Sequence, residues 1–81
     1  MSKQVKFVVR TPEDFGRAIA ELRHARGETQ AELAASMGLS RSYLAQFERG
    51  RLPRTVGLVI GLLRRLGATV TITAGVDNGK T

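Results

Sequence analysis

Arginine side chains are concentrated in the middle of the chain. Residues 41–54 have a local charge of +3, because Glu48 opposes four arginines: Arg41, Arg49, Arg51 and Arg54. Over all 81 residues, 13 Lys and Arg stand against 7 Asp and Glu, a formal net charge of +6. Such an excess favours an anionic partner, either nucleic acid or an acidic surface. The alternative interpretation for Arg49, Arg51 and Arg54 is that they are solvated charges on a loop and bind no partner.

The sequence offers no constellation for catalysis or for metal binding. It contains no cysteine and a single histidine, His24, so a disulfide framework and a Cys/His metal site are both excluded. No nucleophile lies beside a base, no paired carboxylates occupy an apolar segment, and no glycine-rich phosphate loop is present. We therefore expect no enzymatic activity and no cofactor, and His24 is expected to be a surface residue.

Length and hydropathy predict one small cytoplasmic domain. A chain of 81 residues is near the lower limit at which one core stabilises a fold, so oligomerisation is expected. The first ten residues lack the apolar run of a signal peptide, and the longest apolar run elsewhere stops at Arg64 and Arg65. We expect no membrane association.

Local signals predict four helices between two short strands. Thr11 and Pro12 are typical of a first helix start, and Thr29 with Glu32 forms a capping box for the second helix. Gly38 is expected to end the second helix, Ser40 to cap the third, and the fourth to begin at Thr55 or its neighbour. The predicted organisation is a strand segment (1–10), a helical domain (11–67), a second strand (68–74) and a flexible tail (75–81).

The strands and the fourth helix suggest self-association. A lone strand leaves its backbone groups unpaired, and the fourth helix, VGLVIGLLRRL, is apolar around more than half its circumference. We favour a two-fold homodimer whose interface uses the fourth helix and the strands, with contacts from Val5, Phe7, Val59, Leu63, Val70 and Ile72. The alternative is a two-stranded ribbon within one monomer.

Two short helices joined by a tight glycine turn, with a glutamine at the start of the first and arginines on the second, favour a helix-turn-helix. The string LRHARGETQAELAASMGLSRSYLAQFERG, with its TQAELA, GLS and FERG segments, resembles the phage-repressor-like (Xre-family) helix-turn-helix domain over residues 16–66. The layout of residues 11–73, with an extended segment before Thr-Pro and a strand after the fourth helix, resembles HipB-type antitoxins.

The resemblance implies roles for individual residues. The base-reading positions of the third helix fall on Arg41, Ser42 and Gln46, with Ala45 able to touch a thymine methyl group. Arginine can bond guanine O6 and N7, a contact worth ~1 to 3 kcal/mol of discrimination. Gln46 could read adenine in the same way or remain a solvated helix residue. Phosphate contacts are expected from six residues: Gln30, Ser40, Tyr43, Arg49, Arg51 and Arg54. Ser40 can also act purely as a cap, and Tyr43 as a packing residue.

The resemblance also implies an ion pair between Arg23 and Glu48 that links the third helix to the first. Its role is expected to be structural, since it keeps the Glu48 carboxylate from repelling phosphate. The function expected is sequence-specific DNA binding by a homodimer that represses transcription from a palindromic operator. If the HipB-type resemblance holds, the operator is that of its own operon and a HipA-like Ser/Thr kinase toxin is a second partner. A stand-alone Xre-type regulator and a protein-interaction module without DNA binding are the alternatives.

Overall fold

Four helices lie between two terminal strands, as the sequence predicts. The computed structural model describes residues 2–77. Along the chain the elements are β1 (Ser2–Val9), α1 (Pro12–Ala25), α2 (Gln30–Ser36), α3 (Arg41–Glu48), α4 (Arg54–Arg65) and β2 (Val70–Asp77). The mainly helical fold class is confirmed, and α4 begins at Arg54, the neighbour of Thr55, within the predicted start.

The two strands pair with each other as an antiparallel ribbon within one chain. The register places Phe7 opposite Ile72 and Val9 opposite Val70. Of the two pairings that the sequence leaves open, the structure shows the one within the chain, and the homodimer stays a prediction. Pairing inside the chain satisfies backbone hydrogen bonds that a lone strand would leave open.

The bounds of the second strand differ from those predicted, whereas β1 lies within the predicted segment 1–10. β1 begins at Ser2 and β2 continues to Asp77, three residues past the predicted end at 74, because Ser2 and Asp77 are themselves a register pair. The alternation of apolar and polar residues is weak at these ends of the strands, where Gly75 and Gln4 lie opposite each other. The predicted tail over 75–81 is shortened accordingly, and its residues 78–81 lie outside the described residues.

Side-chain caps fix the starts of the first three helices. The Thr11 and Thr29 hydroxyls accept from the backbone N–H of Asp14 (3.3 Å) and Glu32 (3.0 Å), and each carboxylate accepts in return from the cap residue's N–H. The Ser40 hydroxyl accepts from the N–H of Tyr43 at 3.1 Å. The predicted caps are confirmed, because capping depends on a few neighbouring residues only.

Two glycines position α3. Gly38 adopts a φ of +71° in the turn after α2, a conformation that L side chains avoid, and so lets the chain reverse into α3. Gly16 of α1 lies against the backbone of the end of α3, where a Cβ would stand 2.7 Å from the Glu48 carbonyl oxygen. The close crossing of α1 and α3 therefore requires a glycine at residue 16.

The buried core is small, and α4 contributes only Ile60 to it among the described residues. Val9, Ala18, Ala34, Leu44 and Ile60 are buried at 3% exposure or less. The sequence also predicts burial of Met37 in the second helix, but α2 ends at Ser36, and Met37, its C-cap residue, is 65% exposed. None of the helices in the described residues is both long and apolar enough to traverse a bilayer.

Candidate nucleic-acid interface

Helix α3 presents a polar face to solvent and an apolar face to the core. Arg41, Ser42 and Gln46 are exposed, whereas Leu44 is 3% exposed and Ala45 is 8% exposed. The low exposure of Ala45 leaves little of this residue accessible to DNA, and its expected contact with a thymine methyl group stays a prediction. The helical period alone places residue 45 beside the exposed Arg41 and Arg49, four residues before and after it, so its low exposure depends on how α3 packs against its neighbours.

An ion pair with two hydrogen bonds joins α1 to α3. Arg23 Nε donates to Glu48 Oε2 at 2.7 Å, and Arg23 Nη2 donates to Glu48 Oε1 at 3.0 Å. The two side chains are only 8% and 7% exposed. Arg23 Nη1 also donates to the Glu28 carbonyl oxygen at 2.8 Å, so the guanidinium is held from two sides. The pair expected from the resemblance is present and more deeply buried than a surface ion pair.

The buried pair perturbs the ionisation of both partners. Hydrogen bonding to Arg23 is the main cause that lowers the pKa of Glu48, and burial opposes it in part. The same hydrogen bond raises the pKa of Arg23. Opposite charge and direct hydrogen bonding favour the charged form of each partner. They therefore lower the pKa of the acid and raise the pKa of the base.

Gln30 connects this ion pair to the exposed face of α3. Its Nε2 donates to Glu48 Oε1 at 2.9 Å, and its Oε1 accepts from Arg41 Nη1 at 2.9 Å. A continuous set of hydrogen bonds therefore runs from Arg23 through Glu48 and Gln30 to Arg41. The sequence identifies Gln30 as a phosphate contact and gives no sign of this connection, because it joins residues 11 and 18 positions apart in the chain.

The remaining predicted phosphate contacts surround α3. Tyr43 is 45% exposed and its ring packs on Phe47 with centroids 4.7 Å apart, so it is both a packing residue and accessible at the surface. Arg49 and Arg51 are exposed just after α3, and Arg54 is exposed at the first position of α4. The Ser40 hydroxyl is engaged as the α3 cap. Arg49 and Arg51 therefore directly follow the C-terminal end of α3, and Arg54 begins α4.

An open depression of about 590 Å³ lies beside Arg41, between the end of α1 and the start of α2. Its walls include Arg23, His24, Gln30 and Arg41. His24 is exposed, as expected. Within residues 2–77, no group of three His, Cys, Asp or Glu side chains is arranged to hold a metal ion.

A second surface, formed by α4, is apolar. Val59 is 52% exposed and Leu63 37%, while Val5, Phe7, Val70 and Ile72 are half-buried within the ribbon and the helices. Three further leucines that are absent from the predicted interface are more exposed than Leu63: Leu58 and Leu62 on α4, and Leu66 at its C-cap. Next to them a groove of about 360 Å³ runs between α1, α4 and Val70.

The arrangement of α2, the Gly38 turn and α3 defines a class of protein. Residues 14–74, most of the chain, match the family model described as a helix-turn-helix domain. The chain therefore belongs to the helix-turn-helix domain family.

Particular relatives narrow the comparison. The chain is 30% identical over 80 residues (99% of this chain and 100% of the relative) to a Sinorhizobium fredii protein named uncharacterized HTH-type transcriptional regulator y4mF. It is 41% identical over 54 residues (67% of this chain and 70% of the relative) to a second S. fredii protein, uncharacterized HTH-type transcriptional regulator y4dJ. It is 35% identical over 63 residues (78% of this chain) to the HTH-type transcriptional regulator RamB of Mycobacterium tuberculosis, of which it spans only 13%. No solved structure matches the chain significantly.

Proposed function

We propose that this protein binds DNA in a sequence-specific manner and represses transcription. The observation that carries the proposal is the exposed polar face of α3, whose first residue, Arg41, is tied through Gln30 to a buried ion pair. In a helix-turn-helix the second of the two helices enters the major groove. The relatives' names, which describe transcriptional regulators, support the same function.

Base contacts are assigned to the exposed residues of α3. Arg41 would bond guanine O6 and N7, Gln46 would bond adenine, and Ser42 would contact either kind of base edge. Ala45 stays the predicted contact for a thymine methyl group and, at 8% exposure, is the least accessible of the four residues. Each bidentate contact contributes ~1 to 3 kcal/mol to discrimination against the wrong base.

Phosphate contacts would fix the position of α3 in the groove without reading sequence. Tyr43, Arg49, Arg51 and Arg54 are the exposed candidates. Ser40 and Gln30 stay in the set as residues with a second task, since one caps α3 and the other bonds Glu48 and Arg41. The net charge of +6 would favour association with the DNA backbone.

A homodimer would double this surface on a palindromic operator. The support is the row of exposed apolar side chains on α4, which a monomer would leave in water: Leu58, Val59, Leu62, Leu63 and Leu66. The strands contribute less than the sequence indicates, because they already pair within the chain. Two copies of α3 would then enter successive major grooves about one helical turn apart.

The test is a footprint of the purified protein on the DNA upstream of its own gene, made with wild type and with Arg41→Ala. We expect a protected site with two related halves, and loss of preference at one base pair of each half in the variant. Arg17→Ala is the matched control, because Arg17 is a 65% exposed arginine of α1 that is outside the proposed interface. Equal, weak binding to operator and random DNA by the wild type would instead identify a protein-interaction module.

The HipB-type resemblance adds a narrower hypothesis, in which the protein is an antitoxin that represses its own operon and restrains a HipA-like Ser/Thr kinase. The names of the relatives above mention no toxin, so this hypothesis rests on the layout of residues 11–73 alone. A kinase-like reading frame beside the gene, whose product co-purifies with this protein, would support it. A stand-alone regulator would have no such neighbour.

A further inference from the structure

We propose that His24 is a proton-dependent contact to a phosphate of the DNA backbone, so that the protein binds DNA more tightly as the pH falls from 8 to 6. The proposal rests on the proposed DNA-binding function and adds one residue to its interface. It follows from the place of His24 beside the proposed DNA contacts and from the hydrogen-bonding partners of its ring.

His24 shares a surface with two proposed DNA contacts. Its side chain is exposed on α1 and lines the same depression of about 590 Å³ as Gln30 and Arg41. Gln30 is a proposed phosphate contact and Arg41 a proposed base contact. Since phosphates flank every base of the groove that α3 would enter, a phosphate would lie beside this depression.

The neutral ring of His24 is directed at Arg23. His24 Nε2 lies 3.4 Å from Arg23 Nη2, and a guanidinium only donates hydrogen bonds, so Nε2 is the acceptor and the ring carries its proton on Nδ1. Arg23 is fixed, because Glu48 and the Glu28 carbonyl oxygen hold its guanidinium. In this state Nε2 offers no N–H to a phosphate.

Protonation reverses the role of Nε2. An imidazolium donates from both ring nitrogens, so its Nε2–H would point at the N–H groups of Arg23. Because Arg23 is fixed, the ring must turn away and its Nε2–H must find another acceptor. A phosphate oxygen at the depression is a stronger acceptor than water, since its negative charge strengthens the hydrogen bond.

The charges around His24 leave its proton free to act on an anion. Five charged side chains line the depression or pair with those that do: Arg23, Arg26, Glu28, Arg41 and Glu48. The arginines outnumber the carboxylates, and both carboxylates already form ion pairs with arginines. A proton on His24 therefore adds to a positive surface, and a phosphate bound there gains one more opposite charge.

The experiment measures the Kd for the footprinted operator and for random DNA at pH 8 and pH 6, at constant ionic strength. Histidine is the side chain that ordinarily gains a proton in this range, and His24 is the single histidine of the chain. We expect wild-type affinity to rise by about tenfold at pH 6 for a dimer with two such contacts. Both DNAs should show the same factor, because a phosphate contact does not read sequence.

Two variants fix the charge of residue 24. His24→Gln, neutral at both pH values, should show no rise, whereas His24→Lys should bind equally at both and more tightly than wild type at pH 8. Gln4→Lys, at an exposed residue of β1, is the control for a positive charge added elsewhere and should keep the wild-type pH dependence. Urea unfolding at both pH values shows whether each variant is folded.

NMR of the His24 ring gives a direct measurement. The pH at which half of the rings are protonated should be higher in the DNA complex than in the free protein, because coupling between proton and phosphate is reciprocal. An equal midpoint in both states would overturn the proposal. So would a wild-type affinity that is the same at both pH values, or a rise that persists in His24→Gln, and each of these results would leave the DNA-binding function in place. Absence of DNA binding at both pH values would instead reject the proposed function and this contact with it.

Discussion

The Glu48 side chain combines two tasks at the residue scale. It neutralises a buried arginine, and it is the acceptor that holds Gln30 in place. Neither task requires contact with a ligand, yet both determine what α3 presents to solvent. Loss of this one carboxylate would therefore affect stability and the exposed surface together.

Stability should depend on pH through Glu48. Its pKa is lower in the folded chain than in the unfolded one, so its contribution is complete above the unfolded value of ~4.3 and is lost as the pH falls through the folded value. At pH 7, Glu48→Gln should lower the free energy of unfolding by about 3 kcal/mol, because it leaves Arg23 buried without a counter-charge. The difference between wild type and variant should shrink as the pH is lowered from 5 towards 2.

Urea unfolding at a series of pH values would measure this difference. Glu21→Gln, at an exposed residue of α1, is the matched control for removal of one carboxylate. A difference between wild type and Glu48→Gln that stays constant from pH 7 to pH 2 would contradict the prediction.

The sequence predicted the exposed polar residues of α3 but not the hydrogen bonds that connect α3 to α2. The exposed positions of Arg41, Ser42 and Gln46 agree with a polar face read from the sequence. The burial of Ala45 was not predicted, because its spacing of four residues from Arg41 places it with the polar side chains of the helix. The hydrogen bonds of Gln30 were not predicted either, since they depend on how α2 and α3 pack.

At the scale of elements, the crossing of α1 over α3 and the turn between α2 and α3 depend on glycine for different reasons. Gly16 is needed for space, because backbone atoms of Phe47 and Glu48 occupy the position of a side chain. Gly38 is needed for its φ of +71°, since no atom lies within 4 Å of an added Cβ.

Alanine substitutions should separate these reasons. Gly16→Ala should destabilise the fold by about 3 kcal/mol or more through overpacking against backbone. Gly38→Ala should cost about 1 to 2 kcal/mol through backbone strain alone. Gly61→Ala is the control, because it has open space in α4 and no positive φ, and should stabilise by about 0.5 to 1 kcal/mol. Thermal or urea unfolding of the three variants tests the order, which a larger loss at Gly38 than at Gly16 would refute.

The starts of the first three helices were predictable because each cap involves neighbouring residues. The ends of the ribbon were not predictable. Thr11, Thr29 and Ser40 each bond an N–H three residues ahead, so the signal lies within four residues of sequence. The extension of β2 to Asp77 depends on pairing with Ser2, at the other end of the described chain. Such distant pairing leaves no local pattern.

For the whole molecule, the exposed face of α4 predicts self-association. Leu62→Glu combined with Leu66→Glu should convert a dimer into a monomer with little loss of monomer stability, since these side chains are 64% and 79% exposed. Analytical ultracentrifugation at micromolar concentration measures this change. Met37→Glu, at a 65% exposed apolar residue of the α2 end, is the control and should remain dimeric. A wild-type protein that sediments as a monomer would contradict the prediction.

Salt dependence tests the basic surface as a whole. If a dimer neutralises about six phosphates, log affinity should fall with log salt concentration with a slope of about −5. Removal of one arginine per subunit, as in Arg51→Ala, should reduce the slope by about 2 for the dimer. Titrations at several salt concentrations give both slopes, and an unchanged slope would place Arg51 outside the interface.

The ribbon also has a consequence for the order in which the chain folds. Helix caps and the α2–α3 turn join residues close in sequence, whereas β1 and β2 pair only after nearly the whole described chain has closed into one loop. Closing a long loop costs entropy before any pairing contact repays it, so contacts of this kind form late. The helices would therefore assemble first and the ribbon last. The number of paired residues in the ribbon would therefore depend on how the helices have already packed, whereas the length of each helix depends on nearby residues.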